Sequence, residues 1–127
     1  LLIGVNNQYR GRTPENYQVE FISLLEQAIG LAGNHPASVV VVSIPDWGVT
    51  PFAEGRDQLQ ISREIDRFNA INRQEAERLG AKYVSITEGS REVTEDPELL
   101  ASDGLHPSGK DYARWAGAIA DLLESTP

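Results

Sequence analysis

The 127-residue sequence contains no cysteine and only two histidines. The lack of cysteine excludes disulfides, thiolate nucleophiles, iron–sulfur clusters and cysteine-rich zinc sites. A histidine-based metal site would need carboxylates to complete it, and we predict neither a metal nor another cofactor. No apolar run is long enough to span a bilayer, and no signal-peptide pattern is present. These absences leave a secreted or periplasmic location and a cytoplasmic location both open.

Basic residues are also scarce, with eleven lysines and arginines against nineteen acidic residues and a net charge of −8. No stretch collects basic side chains as a surface that follows a phosphate backbone requires. Nucleic acid is therefore not an expected partner. A glycine-rich phosphate loop of the dinucleotide or P-loop type is missing as well, which counts against a nucleotide-binding domain.

What the sequence does contain is an alternation of apolar runs and helical patterns. We predict strands at Leu1–Val5, which is apolar on both faces and should be buried between helices, at Val39–Ile44, which should be central, and at Lys82–Ile86. The spacing of apolar residues predicts helices from Thr13–Pro14 to Leu31, from about Ile61 to Leu79, and from a Ser108 cap onward. Their apolar faces are expected to include Leu31 in the first helix, Ile65, Phe68 and Ala76 in the second, where Glu75 falls on the polar face, and Tyr112, Trp115 and Leu123 in the third. Residues 6–12, 46–57 and 87–101 are predicted loops, with a helical turn at Pro97–Leu100. This order indicates an α/β fold with a parallel sheet in one domain, residues 1–127.

Chemistry is expected in the loop Ser102–Pro107, where Asp103 precedes His106 by three residues. Gly104 lets the chain turn, so the carboxylate can face the imidazole ring. A carboxylate that holds Nδ1 leaves Nε2 free to accept a proton, which is half of a catalytic relay. Taken alone, the pair is better explained as a turn cap beside a surface histidine.

Two motifs together favour catalysis: Gly4-Val5-Asn6 after the first predicted strand, and Asp103-Gly104-Leu105-His106 before the last helix. Together they resemble the SGNH hydrolases, also called GDSL esterases and lipases. The resemblance implies a three-layer α/β/α, flavodoxin-like fold. It also implies that Asn6 is an oxyanion donor, Asp103 the orienting acid and His106 the base of a Ser-His-Asp triad. The implied substrate is a small ester or an acylated carbohydrate.

The sequence departs from the family pattern at two places. Asn7 stands where the family motif has Asp, and no serine lies in a Gly-Asp-Ser setting. The serine and glycine motifs of the family precede its asparagine motif, and this chain begins without Met in an apolar run. We therefore expect a domain truncated at its N-terminus, with the nucleophile upstream of residue 1 and the fragment inactive without it.

Other residues have two interpretations each. Trp47 and Phe52 either line a substrate pocket or pack their long loop onto the domain. Asp46 either binds an ion or ribose or caps a turn, and His35 is expected to face solvent. Two rival functions also remain: a flavodoxin-like ligand-binding domain that uses Asp46 and Asp103, and an inactive SGNH-like interaction module.

Overall fold

The computed structural model describes residues 1–125 and has a mixed α/β fold with a small parallel sheet. Its helices and strands are α1 (Val5–Tyr9), α2 (Pro14–Leu31), β1 (Val40–Val42), α3 (Gln58–Leu79), β2 (Lys82–Val84), α4 (Thr87–Arg91) and α5 (Gly109–Glu124). The chain divides into two compact units. The first contains Leu1–Ile44 and Glu64–Ser85, and the second contains Pro45–Arg63 and the chain from Ile86 onward.

The sheet of the first unit is built on β1. It pairs in parallel with β2, and Val41 stands opposite Tyr83. On the other edge of β1, the N-terminal amine of Leu1 donates to the carbonyl of Val40 at 2.6 Å, and the Val42 N–H donates to the carbonyl of Leu1 at 2.9 Å. Backbone groups on both edges of β1 are therefore hydrogen-bonded, but the sheet of the described residues has two strands, so the central position of β1 stays a prediction.

The predicted strand Leu1–Val5 and the predicted loop after it are wrong in their extent. Leu1 makes the ladder contacts, but Gly4 has φ +123° and α1 starts immediately after it, at the last residue of the predicted strand, and continues into the segment predicted to be a loop. Leu2 is 47% exposed, whereas the pattern predicted burial on both faces. The Tyr17 hydroxyl donates to the carbonyl of Ile3 at 3.0 Å. The Ile3 carbonyl, which would accept a hydrogen bond from a neighbouring strand if residues 1–5 were extended, is therefore bonded to a side chain of α2 instead.

The start and the end of α2 are confirmed. Thr13 caps the helix by accepting a hydrogen bond from the Asn16 N–H at 3.2 Å, and proline occupies the first turn, where its missing N–H costs nothing. Gly33 and Asn34 after the helix have φ of 70° and 60°, the left-handed conformation that ends helices. The buried face is narrower than predicted, since Leu31 is 91% exposed.

Helix α3 buries apolar and polar residues on the same side. Ile65, Phe68 and Ala76 are buried as predicted. Glu75, which the pattern assigned to the polar face, is only 2% exposed and accepts hydrogen bonds from Gln18 and Arg78. A charged residue satisfied in this way can occupy a buried position, which periodicity of hydrophobicity does not detect.

Asn69, also on α3, fixes the backbone of Ile44, two residues after the end of β1. Its side-chain oxygen accepts a hydrogen bond from the Ile44 N–H at 2.7 Å, and its amide nitrogen donates to the Ile44 carbonyl at 3.1 Å. Both polar groups of this buried peptide segment are thereby satisfied. The backbone of Ile44 is therefore bound to a side chain of α3 within the first unit.

The second unit contains more helix than expected. Residues 87–101 were predicted to be irregular apart from one turn. They form α4 and 3₁₀ turns at Glu92–Thr94 and Pro97–Leu99, so the predicted helical turn is confirmed. Ser108 caps α5 as predicted, accepting from the Asp111 N–H at 3.4 Å. The predicted apolar face of α5 buries Trp115, while Tyr112 and Leu123 are exposed.

Candidate active site

The loop that carries Asp103 and His106 is closed at its base by backbone hydrogen bonds. Leu100 and Pro107 form an antiparallel bridge, and the Ala101 N–H donates to the His106 carbonyl at 2.8 Å. Gly104 has φ 68°, a conformation that glycine adopts without strain. The loop therefore returns on itself within a few residues, as the glycine in the motif predicted.

Asp103 accepts three hydrogen bonds inside this loop. Its Oδ1 accepts from the backbone N–H groups of Leu105 at 3.0 Å and His106 at 2.9 Å, and its Oδ2 accepts from His106 Nδ1 at 2.6 Å. The imidazole contact, and then the two backbone donors, lower the pKa of the Asp103 carboxyl from 3.8 to about 2. The ionised carboxylate thus favours the tautomer with the proton on Nδ1, which leaves Nε2 able to accept a proton.

The pair lies at the surface of its unit. The side chains of His106 and Asp103 are 67% and 50% exposed. A reacting group can therefore approach Nε2 of the imidazole, while Asp103 keeps the ring in place. This arrangement can perform general-base and general-acid chemistry.

The aromatic loop, residues 46–53, lies beside the Asp103–His106 loop in the same unit. It forms two 3₁₀ turns, Trp47–Val49 and Pro51–Ala53, and the Phe52 N–H donates to the carbonyl of Gly104 at 3.2 Å. Trp47 is only 6% exposed, so its indole packs in the interior, whereas Phe52 is 41% exposed. The Trp47 and Phe52 rings pack edge to face with centroids 6.0 Å apart. The guanidinium of Arg56 lies over both rings, at nearly the same distance from each ring centroid.

Asp46 holds the start of the aromatic loop. Its Oδ1 accepts a hydrogen bond from the Gly48 N–H at 2.8 Å, and its Oδ2 pairs with Arg91 Nε at 2.9 Å. Both carboxylate oxygens of this buried residue are engaged, so the turn-capping interpretation is the one that the structure supports. The sequence offered no signal for Arg91 as a partner, because 45 residues separate the two.

Asn6 belongs to the first unit, where it is the second residue of α1 and is exposed. The helix that carries it is anchored, because Gln8 donates a side-chain hydrogen bond to Glu64 at 2.8 Å and Asn7 donates one to Glu20 at 2.6 Å. Within residues 1–125, the Asn6 side chain has no hydrogen-bond partner. Its amide is therefore available to a ligand.

The model of the GDSL-like Lipase/Acylhydrolase family matches residues 1–114. The chain belongs to the GDSL-like lipase/acylhydrolase family. The SGNH resemblance inferred from Gly4-Val5-Asn6 and the Asp103–His106 motif is thereby confirmed, and both motifs lie within the matched residues. A search of curated proteins and a search of solved structures each found no match.

Membership of the GDSL-like family supports acyl hydrolysis as the general activity. Over the described part of the chain, this acylhydrolase has no group of three or more His, Cys, Asp or Glu side chains arranged to bind a metal ion. None of the described helices is both long enough and apolar enough to cross a membrane.

Proposed function

We propose that the protein is a serine-type carboxylic ester hydrolase in which Asp103 and His106 are the acid and base of the triad. The observation that carries this proposal is the 2.6 Å hydrogen bond between Asp103 Oδ2 and His106 Nδ1. It is supported by the GDSL-like family match, which covers both residues. An Asp–His contact in a turn is weak evidence for catalysis by itself. The proposal therefore depends on the hydrogen bond and the family match together.

The chemistry follows from the roles of the groups. A serine hydroxyl attacks the ester carbonyl carbon while His106 Nε2 accepts its proton, and the protonated imidazole then donates that proton to the leaving alcohol. Water attacks the acyl-enzyme with the same proton transfers, releasing the carboxylic acid and the serine. The Asn6 amide donates to the oxyanion, and one such donor stabilises the transition state by about 3 to 4 kcal/mol.

The nucleophile in this proposal is a serine encoded ahead of residue 1, since no serine of the sequence lies in a Gly-Asp-Ser setting. Residues 1–127 would then be part of a single three-layer α/β/α domain of flavodoxin-like topology. The proposed reaction uses no metal and no cofactor.

The proposed substrate is a small ester or an acylated carbohydrate. Phe52 supports this choice for two reasons. Its ring is exposed, and its backbone N–H donates a hydrogen bond to the carbonyl of Gly104, the residue next to Asp103. An exposed aromatic ring can contact an acyl group or the face of a sugar. In this proposal the buried indole of Trp47 packs against the Phe52 ring and fixes its position, and Trp47 itself contacts little of the substrate.

The test is the hydrolysis of p-nitrophenyl acetate by the longest natural form of the protein. His106→Ala should lower kcat/KM by at least about 1,000-fold, because the base is lost. His35→Ala is the matched control, since it removes the other histidine and should leave kcat/KM unchanged. A fluorophosphonate probe should label one serine ahead of residue 1.

Two results would contradict the proposal. One is a His106→Ala variant as active as the His35→Ala control. The other is hydrolysis by the 127-residue chain alone that depends on His106, which would mean that the nucleophile is one of its own serines.

A further inference from the structure

The first unit contains a cavity of about 220 Å³ between the segment Gly11–Pro14 and helix α3. From α3 it is lined by Glu64, Arg67 and Phe68. Its volume is below that of pockets for drug-sized ligands, so it suits a small molecule or one group of a larger molecule. None of its lining residues belongs to the Asp103–His106 loop.

Two arginines, Arg12 and Arg67, give the cavity its charge. Neither has an ion-pair or hydrogen-bond partner for its guanidinium among residues 1–125. On α3, Arg63 is unpaired as well among these residues, whereas Arg73 and Arg78 are paired with glutamates. What distinguishes Arg12 and Arg67 is that both line the same cavity.

The single acidic residue of the cavity does not neutralise this charge. Glu64 accepts a hydrogen bond from the Gln8 amide at 2.8 Å, which anchors α1 to α3. Thr13 is also engaged, since its hydroxyl oxygen accepts from the Asn16 N–H. The two guanidinium groups are therefore the strongest donors left for a ligand, and the lining carries a net charge of +1.

The walls of the cavity are held before any ligand arrives. The N–H groups of Gly11 and Arg12 each donate at 2.9 Å to carbonyls of α1, those of Gln8 and Asn7. On the other wall, Phe68 is buried and stacks on Tyr17 with ring centroids 4.4 Å apart. A preformed site loses less entropy on binding than a flexible one.

We propose that this cavity binds a small oxyanion, a carboxylate or a phosphate, through Arg12 and Arg67. A guanidinium presents parallel N–H donors that match the two oxygens of a carboxylate or phosphate. Two such groups at one cavity favour an anion over a neutral sugar. The proposal uses none of the residues assigned to acyl transfer, and it does not depend on that chemistry.

The experiment is an NMR titration of the ¹⁵N-labelled chain at constant ionic strength with inorganic phosphate, glucuronate and glucose. Glucose is the neutral counterpart of glucuronate. We expect saturable shifts of the Gly11, Arg12 and Thr13 amides with a Kd of about 1 mM for at least one anion, and none with glucose. The phosphate and glucuronate arms distinguish the two oxyanions.

Arg12→Gln and Arg67→Gln should each weaken anion binding by about tenfold, the effect of losing one charge-assisted contact. Arg10→Gln and Arg63→Gln are matched controls, because they remove the same charge from exposed arginines outside the cavity lining. Glu64→Gln should tighten binding, since it removes the negative charge of the lining. The proposal is overturned if neither anion saturates, if glucose binds equally, or if the controls weaken binding as much as the cavity variants.

Discussion

Replacing Gly4 with alanine should strongly destabilise the first unit. Gly4 has φ +123° and ψ −20°, a conformation that side chains with a Cβ rarely adopt. An added Cβ would lie 2.7 Å from Ile44 Cδ1 and 2.8 Å from Tyr17 Cζ, well inside van der Waals contact. Both neighbours are fully buried, so neither can move aside freely.

The magnitude follows from two costs and one gain. The strained backbone costs about 1 to 3 kcal/mol and the overpacked contact about as much again. Alanine lowers the entropy of the unfolded chain, which returns about 0.4 to 1 kcal/mol. The free energy of unfolding should therefore fall by about 1 to 5 kcal/mol, a large part of the total for a small domain.

Gly11→Ala is the matched control. Gly11 also has a positive φ, 69°, but an added Cβ there meets nothing within 4 Å. It should cost about 1 kcal/mol, so the difference between the variants measures the steric overlap at Gly4.

The assay is urea unfolding followed by far-UV circular dichroism, because both tryptophans, Trp47 and Trp115, belong to the second unit. A Gly4→Ala variant within about 1 kcal/mol of the Gly11→Ala variant would refute the reasoning, since only the control lacks the overlap.

Two further predictions concern the second unit. Asp103 should titrate at about pH 2 by ¹³C NMR, and its midpoint should move toward 3.8 in His106→Ala, whose loss removes the main cause of the lowered pKa. Because the folded pKa is depressed, the stabilisation from this pair is present above about pH 4 and is lost as the pH falls through 2; an unchanged midpoint in the variant would contradict this. Arg91→Gln should lower the free energy of unfolding by about 2 to 4 kcal/mol, since it leaves the buried Asp46 carboxylate without its cation. The exposed Arg63→Gln is the comparison, and equal urea midpoints for these two arginine variants, followed by tryptophan fluorescence, would show that the ion pair does not hold the loop.

The sequence predicted those contacts of the candidate site that join residues close together in the chain. Asp103 and His106 are three residues apart, and a glycine between them permits the turn, so their contact depends on few backbone angles. The caps at Thr13 and Ser108 were predictable for the same reason, since each bonds an N–H three residues onward. The presence of a strand at β1 followed from its β-branched run.

The conformation of residues 1–9 was not predictable in this way. The apolar run at Leu1–Val5 has the composition of a strand, and only its first residue makes sheet hydrogen bonds. Tyr17 holds Ile3 from fourteen residues away and crowds the space beside Gly4. The turn at Gly4 and the helix that carries Asn6 therefore depend on packing against α2, which composition does not encode locally.

The sequence by itself determined the family motifs, the order of the three long helices and of β1 and β2, and the orientation of the His106 ring by Asp103. Those features rest on backbone stereochemistry and on hydrogen bonds between residues only a few positions apart. The tertiary structure alone decided the Asp46–Arg91 pair and the placing of Arg12 and Arg67 at one cavity. Such contacts join residues about 45 to 55 positions apart, and their formation depends on the folding of everything between them.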